Sequence, residues 1–173
     1  MQESKPNRAR SNHADLDRAG FDGARFEGAK PERVILELDR FLPYRLSVLS
    51  NRISSEIAAL YEARFGVSVT EWRVMAVLGR YPNLSAMEVA EHTAMDKVAV
   101  SRAVNSLIDR GLLLRDIHSD DRRRSVLALS AAGFVIYDQI VPLALSYERQ
   151  LLDSLSAAEV KRFDALLDAL LHR

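Results

Sequence analysis

The chain contains no cysteine. That removes disulfides, thiolate metal sites and cysteine-based redox sensing together. Long apolar runs are missing too. No stretch approaches the roughly 20 apolar residues of a membrane helix, and the N-terminus lacks the apolar segment of a secretion signal. A cytoplasmic protein without membrane association is the expectation. There is also no overall excess of charge, since Lys+Arg and Asp+Glu both total 24. A nucleic-acid-binding surface would have to be a local basic patch. A glycine-rich phosphate loop and a nucleophile motif are absent, and His92 and His172 have no evident acidic or nucleophilic partner. No enzymatic activity, no cofactor and no metal site are therefore expected.

What is present is mostly helical patterning. Residues 1–33 carry Gly20, Gly23 and Gly28, charges of both signs and few apolar side chains, which reads as a disordered extension. From Val34 an apolar stripe recurs at spacings of three and four through Leu42, Leu46, Leu49, Ile53, Ile57, Leu60 and Tyr61. Pro43 suits the first turn of this helix and Gly66 its end, so residues 34–69 read as one long helical region. Thr70 is expected to cap a short helix over 71–79. Ser85 and Glu88 have the spacing of a capping box, which opens a helix running to about Thr93. Asp96 caps the next helix, 97–110, and Gly111 ends it. Residues 112–117 and 125–129 read as two strands around the hydrophilic run 118–124, a hairpin. Ser130 caps another long helix with Pro142 inside it, a predicted kink. Ser156 and Glu159 form a second capping box before the last helix.

Two short helices in tandem followed by a charged hairpin define a winged helix-turn-helix. The fold class is thus mainly α with a small β-hairpin wing, flanked by long N- and C-terminal helices. An α-helix fits the major groove of B-DNA, and its polar face must reach base edges and phosphates. The 97–110 helix would lock to the body through Val100, Val104, Leu107 and Ile108. Its other face carries Lys97, Ser101 and Asn105, with Val98 and Arg102 beside them. Arginine can read guanine and asparagine can read adenine, whereas serine and lysine suit phosphates. Between Lys97 and Arg124 seven basic residues face four acidic ones, a local excess of +3. Arg122, Arg123 and Arg124 stand together at the hairpin tip, where phosphate or the minor groove would meet them. Asp120 and Asp121 could pair with some of these arginines and hold the wing's shape.

The segment from about residue 41 to 173 resembles the multiple-antibiotic-resistance regulator (MarR) family. Asp121-Arg122-Arg123, followed by Val126-Leu127-Ala128-Leu129-Ser130-Ala131-Ala132-Gly133, is similar to that family's wing and the helix entry after it. Thr70-Glu71-Trp72-Arg73-Val74-Met75, Val100-Ser101-Arg102 and Asp109-Arg110-Gly111-Leu112 match as well. The resemblance implies a homodimer whose terminal helices interlock, here 34–69 and 131–173, around winged domains spanning 70–130. It implies binding of double-stranded DNA at an inverted repeat, usually as a repressor. The flanking helices themselves carry wider apolar faces than a lone winged domain needs, which favours pairing. The resemblance also implies a small aromatic carboxylate ligand between the dimer helices and the winged domain, with Tyr44, Arg45, Ser47, Asn51, Trp72 and Arg73 as candidate lining. The missing cysteine excludes the family's peroxide-sensing branch. A helical protein-protein adaptor is the alternative reading, but it leaves the arginine-rich wing without a purpose.

Overall fold

A computed structural model describes residues 34–117 and 125–172. The expected disordered extension over 1–33 and the wing tip over 118–124 lie outside the described residues. The chain divides into two units, Met1–Leu38 and Asp39–Arg173. All helices and strands named below belong to the second.

Helix α1 (Leu42–Ala59) opens with a proline in its first turn and ends earlier than the apolar stripe predicts. A turn at Leu60 and Tyr61 separates it from α2 (Glu62–Phe65), and it is α2 that Gly66 closes in the left-handed conformation, φ 62°. The stripe is interrupted because Tyr61 is drawn into the core. It is only 1% exposed, with its ring against Trp72 at 5.9 Å. Residues 34–41 are likewise not helical.

Helix α3 (Val69–Arg80) starts two residues before the expected first helical residue, Glu71. Ser68, not Thr70, is the cap: its hydroxyl accepts from Glu71 N at 3.3 Å, and Glu71 Oε2 accepts from Ser68 N at 2.8 Å. A capping box needs its acid three residues after the cap, and Glu71 stands in that relation to Ser68. The other predicted starts hold. Ser85 and Glu88 cap α4 (Ala86–Thr93), Asp96 caps α5 (Lys97–Asp109), Ser130 caps α6 (Ala131–Leu152), and Ser156 with Glu159 caps α7 (Ala157–Leu171). Pro142 lies within α6 and does not end it, since a proline removes one ladder bond and the others remain.

Strands β1 (Leu113–Ile117) and β2 (Ser125–Leu129) pair antiparallel, with Leu113 opposite Leu129 and Ile117 opposite Ser125. The other edge of β2 is covered by the α3–α4 connection. Asn83 N donates to Leu127 O, and Leu127 N donates to Leu84 O. This leaves less of the small sheet's edge open to other chains.

The core lies under the winged unit. Met75, Leu78, Val89, Val100, Val104, Leu107, Leu127 and Ile140 are essentially sealed from solvent. They come from α3, α4, α5, β2 and α6, so each of these elements is held by apolar burial. The α6 entry packs closely enough that a side chain on Gly133 would strike the Leu112 carbonyl. Helix α7, by contrast, has no buried residue.

Candidate nucleic-acid interface

Local chemistry fixes the junction between α4 and α5. The Thr93 hydroxyl bonds back to Val89 O at 2.8 Å, and Ala94 ends α4 in the left-handed region at φ 51°. Two residues later Asp96 Oδ1 accepts from Val98 N at 2.8 Å and Ala99 N at 3.2 Å. The chain thus leaves one helix and enters the next within three residues, the tight reversal that a helix-turn-helix requires.

Helix α5 is sharply two-faced. Val100, Ala103, Val104 and Leu107 are buried, and Ile108 packs partly against them. Ala103, although small and absent from the apolar face expected from sequence, is part of this core. Lys97, Val98, Ser101, Arg102 and Asn105 are exposed, Val98 by 56%. The five residues expected to touch DNA are therefore together on one solvent-facing surface. Arg122, Arg123 and Arg124 fall on the tip outside the described residues.

The inner flank of α5 is tied to the start of α3 by a polar network that the sequence reading missed. Glu71 is 8% exposed. Its Oε1 accepts from Ser106 Oγ at 2.6 Å and faces Arg110 Nη1 at 3.5 Å, while Oε2 holds the Ser68 cap. Arg110 also donates to Gly66 O at 3.0 Å and Phe65 O at 2.8 Å. Burial by itself pushes the Glu71 carboxyl up. The hydrogen bonds from Ser106 and Ser68 and the charge of Arg110 outweigh it, holding the group below its ordinary 4.5. Arg110, counted from sequence within the local basic excess, is thus a structural clamp. The signal available beforehand was the Ser68–Glu71 spacing. Ser106 and Arg110 lie 35 and 39 residues from Glu71, and only folding brings them to it.

Two cationic groups flank the exposed surface. Arg102 borders an open cleft of about 350 Å³ that it shares with Ser68, Thr70, Ala99 and Ser106. On the wing side, Arg115 Nη2 donates to Asn105 Oδ1 at 3.4 Å. Arg115 was not among the expected contact residues, because a lone arginine within a strand carries no motif.

The six candidate ligand residues fall into two groups. Tyr44, Arg45, Ser47 and Asn51 are exposed between the start and the middle of α1. Trp72 is half-buried between the Tyr61 and Tyr137 rings, at 5.9 and 5.8 Å. Arg73 Nη2 donates to Ser54 Oγ at 2.8 Å and so reaches α1. Tyr44 lies ten residues before Ser54, about 15 Å along the helix axis. Beside this cluster the Tyr61 hydroxyl is buried without a hydrogen-bond partner, and burial pushes its pKa up to about 12.

Among the described residues no three His, Cys, Asp or Glu side chains are grouped to hold a metal ion, and no helix is long and apolar enough to cross a membrane. His92 stacks on the Tyr81 ring at 5.0 Å.

Comparison with known proteins agrees with this geometry. Residues 65–124 match the sequence profile of the MarR family. The chain is similar to the HTH-type transcriptional regulator BilQ of Clostridium symbiosum, 27% identical over 61% of this chain and 73% of that protein. A MarR/EmrR family transcriptional regulator from Acinetobacter sp. ADP1 superimposes with a TM-score of 0.72 at 28% identity, over 79% of this chain and 96% of that one. Bordetella bronchiseptica BpsR, whose DNA binding is regulated by 6-hydroxynicotinic acid, shares the fold with a TM-score of 0.69 at 19% identity, over 81% of this chain and 99% of that one. These relatives are regulators and not enzymes. With a buried apolar face locking α5 to the body, its polar face turned outward and a β-hairpin beside it, the chain carries the winged helix-turn-helix fold of the MarR family transcriptional regulators, whose profile its residues 65–124 match.

Proposed function

We propose that the chain is a repressor that binds an inverted-repeat operator as a homodimer, inserting α5 into the major groove and the wing arginines against the backbone or minor groove. The observation that carries this reading is the exposed set Lys97, Val98, Ser101, Arg102 and Asn105, backed by a helix face that is buried along its length. Lys97 and Ser101 suit phosphates, while Arg102 and Asn105 reach base edges or the adjoining backbone. Arg122, Arg123 and Arg124 complete the contact surface.

Pairing is supported by the flanking helices. Leu42, Leu46 and Leu49 of α1 and Phe163, Leu166 and Leu170 of α7 are exposed in the single chain. A groove of about 1010 Å³ runs where α6 meets α7, its apolar lining supplied by Leu151, Leu152, Leu155, Val160, Phe163 and Leu167 and interspersed with charged residues such as Glu148, Arg149 and Lys161. A second copy laying its terminal helices there would bury these faces, and two-fold symmetry would set the half-sites about one helical turn apart. A small aromatic carboxylate would act from the junction of α1 and α3, where Arg73 offers a cation beside Trp72. It would change operator affinity by shifting the recognition helices, as coupling between sites requires.

The test is a mobility-shift titration of the full chain on DNA flanking its own gene, across a salt series and against random competitor. Selective binding should weaken roughly a thousandfold or more between 50 and 200 mM salt if six or more phosphates are contacted. The double variant Arg102→Ala, Arg122→Ala should abolish selective binding while leaving the dimer intact. A double variant that binds as tightly as the parent would remove this surface from the DNA contact, and salt-indifferent binding would favour a protein adaptor.

A further inference from the structure

We propose that Arg115 sets the base preference of Asn105, so that the recognition helix reads guanine at that position and not adenine. This rests on the reading of α5 as the groove-entering helix.

Asn105 stands on the flank of α5 that faces the wing. Arg115 is two residues after Leu113 on β1 and directly opposite Leu127, both of which are buried. Alternation along a strand therefore puts Arg115 on the helix-facing side of the hairpin. From there its Nη2 donates to Asn105 Oδ1 at 3.4 Å.

A guanidinium has five N–H donors and no acceptor, so an amide can meet it only with its oxygen. The contact consequently fixes which way round the Asn105 amide lies. Its oxygen is turned to Arg115, and its NH2 is left for the groove. Adenine presents an N7 acceptor beside an N6 donor, and reading both edges needs the amide oxygen and nitrogen free together. With one lone pair of the oxygen taken by Arg115, the pair presents the groove with more donors than acceptors: the Asn105 NH2 and the remaining N–H groups of the Arg115 guanidinium, against a single lone pair of the amide oxygen. Guanine answers with two acceptors, O6 and N7. Adenine would set its amino group against another donor, and cytosine offers only a donor. Both residues are exposed in the free protein. Docking on DNA would exclude water from the contact, which strengthens the hydrogen bond and raises the cost of a mismatched donor. Arg102 does not share this role, since it borders the cleft beside Ser106 and Ser68 on the opposite flank.

The experiment is selection of bound sequences from a random duplex library with the full-length chain, in parallel for the parent, Asn105→Ala, Arg115→Met and Arg115→Lys. The expected result is a guanine in each half-site whose selection is lost in Asn105→Ala. Arg115→Met keeps the apolar stem but frees the amide oxygen. It should turn the same position to adenine, reversing a guanine preference on the order of tenfold. Arg115→Lys, again a donor without an acceptor, should retain guanine. The proposal is overturned if the parent selects adenine there, or if Asn105→Ala changes no position. It is equally overturned if Arg115→Met weakens all sequences alike and lowers the salt slope, the behaviour of a plain phosphate contact. A parent chain that selects no sequence at all would overturn the operator reading and this one with it.

Discussion

The winged unit and the helices that flank it are built on opposite principles. Within α3, α4, α5 and the hairpin, apolar side chains find partners in the same chain, and Val74, Met75, Leu78, Val100, Val104 and Leu107 are all fully buried. Polar groups there are matched as well, with Glu71 satisfied by Ser106, Ser68 and Arg110. In α1 only Ala58 is buried, and in α7 nothing is. Yet both carry apolar residues at helical spacing. A unit that completes its own core can hold a recognition surface rigidly. Helices that do not complete theirs are suited to meeting a second copy, and coupling between the two regions is then how assembly would govern DNA binding.

That contrast can be broken from the flanking side with the largest consequence. Phe163→Glu with Leu166→Glu places two charges on the exposed face of α7. If that face pairs with a second copy, sedimentation should show monomer, and operator affinity should fall by at least about a hundredfold, because each half-site then binds alone. Thermal unfolding of the winged unit should persist. A dimer unchanged by the double substitution would place the pairing surface elsewhere.

From the winged side, Leu107→Ala should cost about 3 kcal/mol of folding stability, the usual consequence of a cavity under a sealed leucine. Urea denaturation measures it directly. A loss below about 1 kcal/mol would mean that α5 is less firmly packed than its burial implies.

The Glu71 clamp sharpens the comparison through pH. Its pKa is lowered in the folded chain, so its contribution is fully present above the ordinary value of 4.5 and is lost as pH falls through the lower folded value. Glu71→Gln should destabilise the protein by about 2 kcal/mol at pH 7 and flatten the part of the acid limb that Glu71 supplies. Difference unfolding curves between pH 7 and pH 3 test this, and parallel curves for parent and variant would deny the clamp its role.

The smallest effect is expected in the turn before α5. Ala94 holds φ at 51°, where an L-residue is disfavoured and glycine is at ease. Ala94→Gly should therefore stabilise by about 0.5 kcal/mol, after the loss of chain entropy in the unfolded state is subtracted. A lower melting temperature would show that the alanine methyl contributes packing that outweighs the strain.

Much of this architecture was legible in the sequence, for local reasons. The caps at Ser85, Asp96, Ser130 and Ser156, the hairpin strands and the apolar face of α5 all depend on residues within one or two turns of each other. The failures were also physical. Thr70 looked like a cap because it preceded Glu71, but the geometry of the box selects Ser68. The stripe through Leu60 and Tyr61 suggested one continuous helix, and the pull of the core on Tyr61 broke it. Arg110 counted as a basic residue for DNA until folding turned it to Glu71 and to the carbonyls of Phe65 and Gly66.

By itself, then, the sequence determined where helices start, which face of α5 is apolar, and that Lys97, Val98, Ser101, Arg102 and Asn105 lie on its other side. These are consequences of a 3.6-residue period and short-range hydrogen bonds. Tertiary structure alone decided what each polar group meets: Glu71 with Ser106 and Arg110, Arg73 with Ser54, and Arg115 with Asn105. Such pairs join residues 10 to 39 positions apart. Their partners are chosen by how the elements pack, and no local rule encodes that choice.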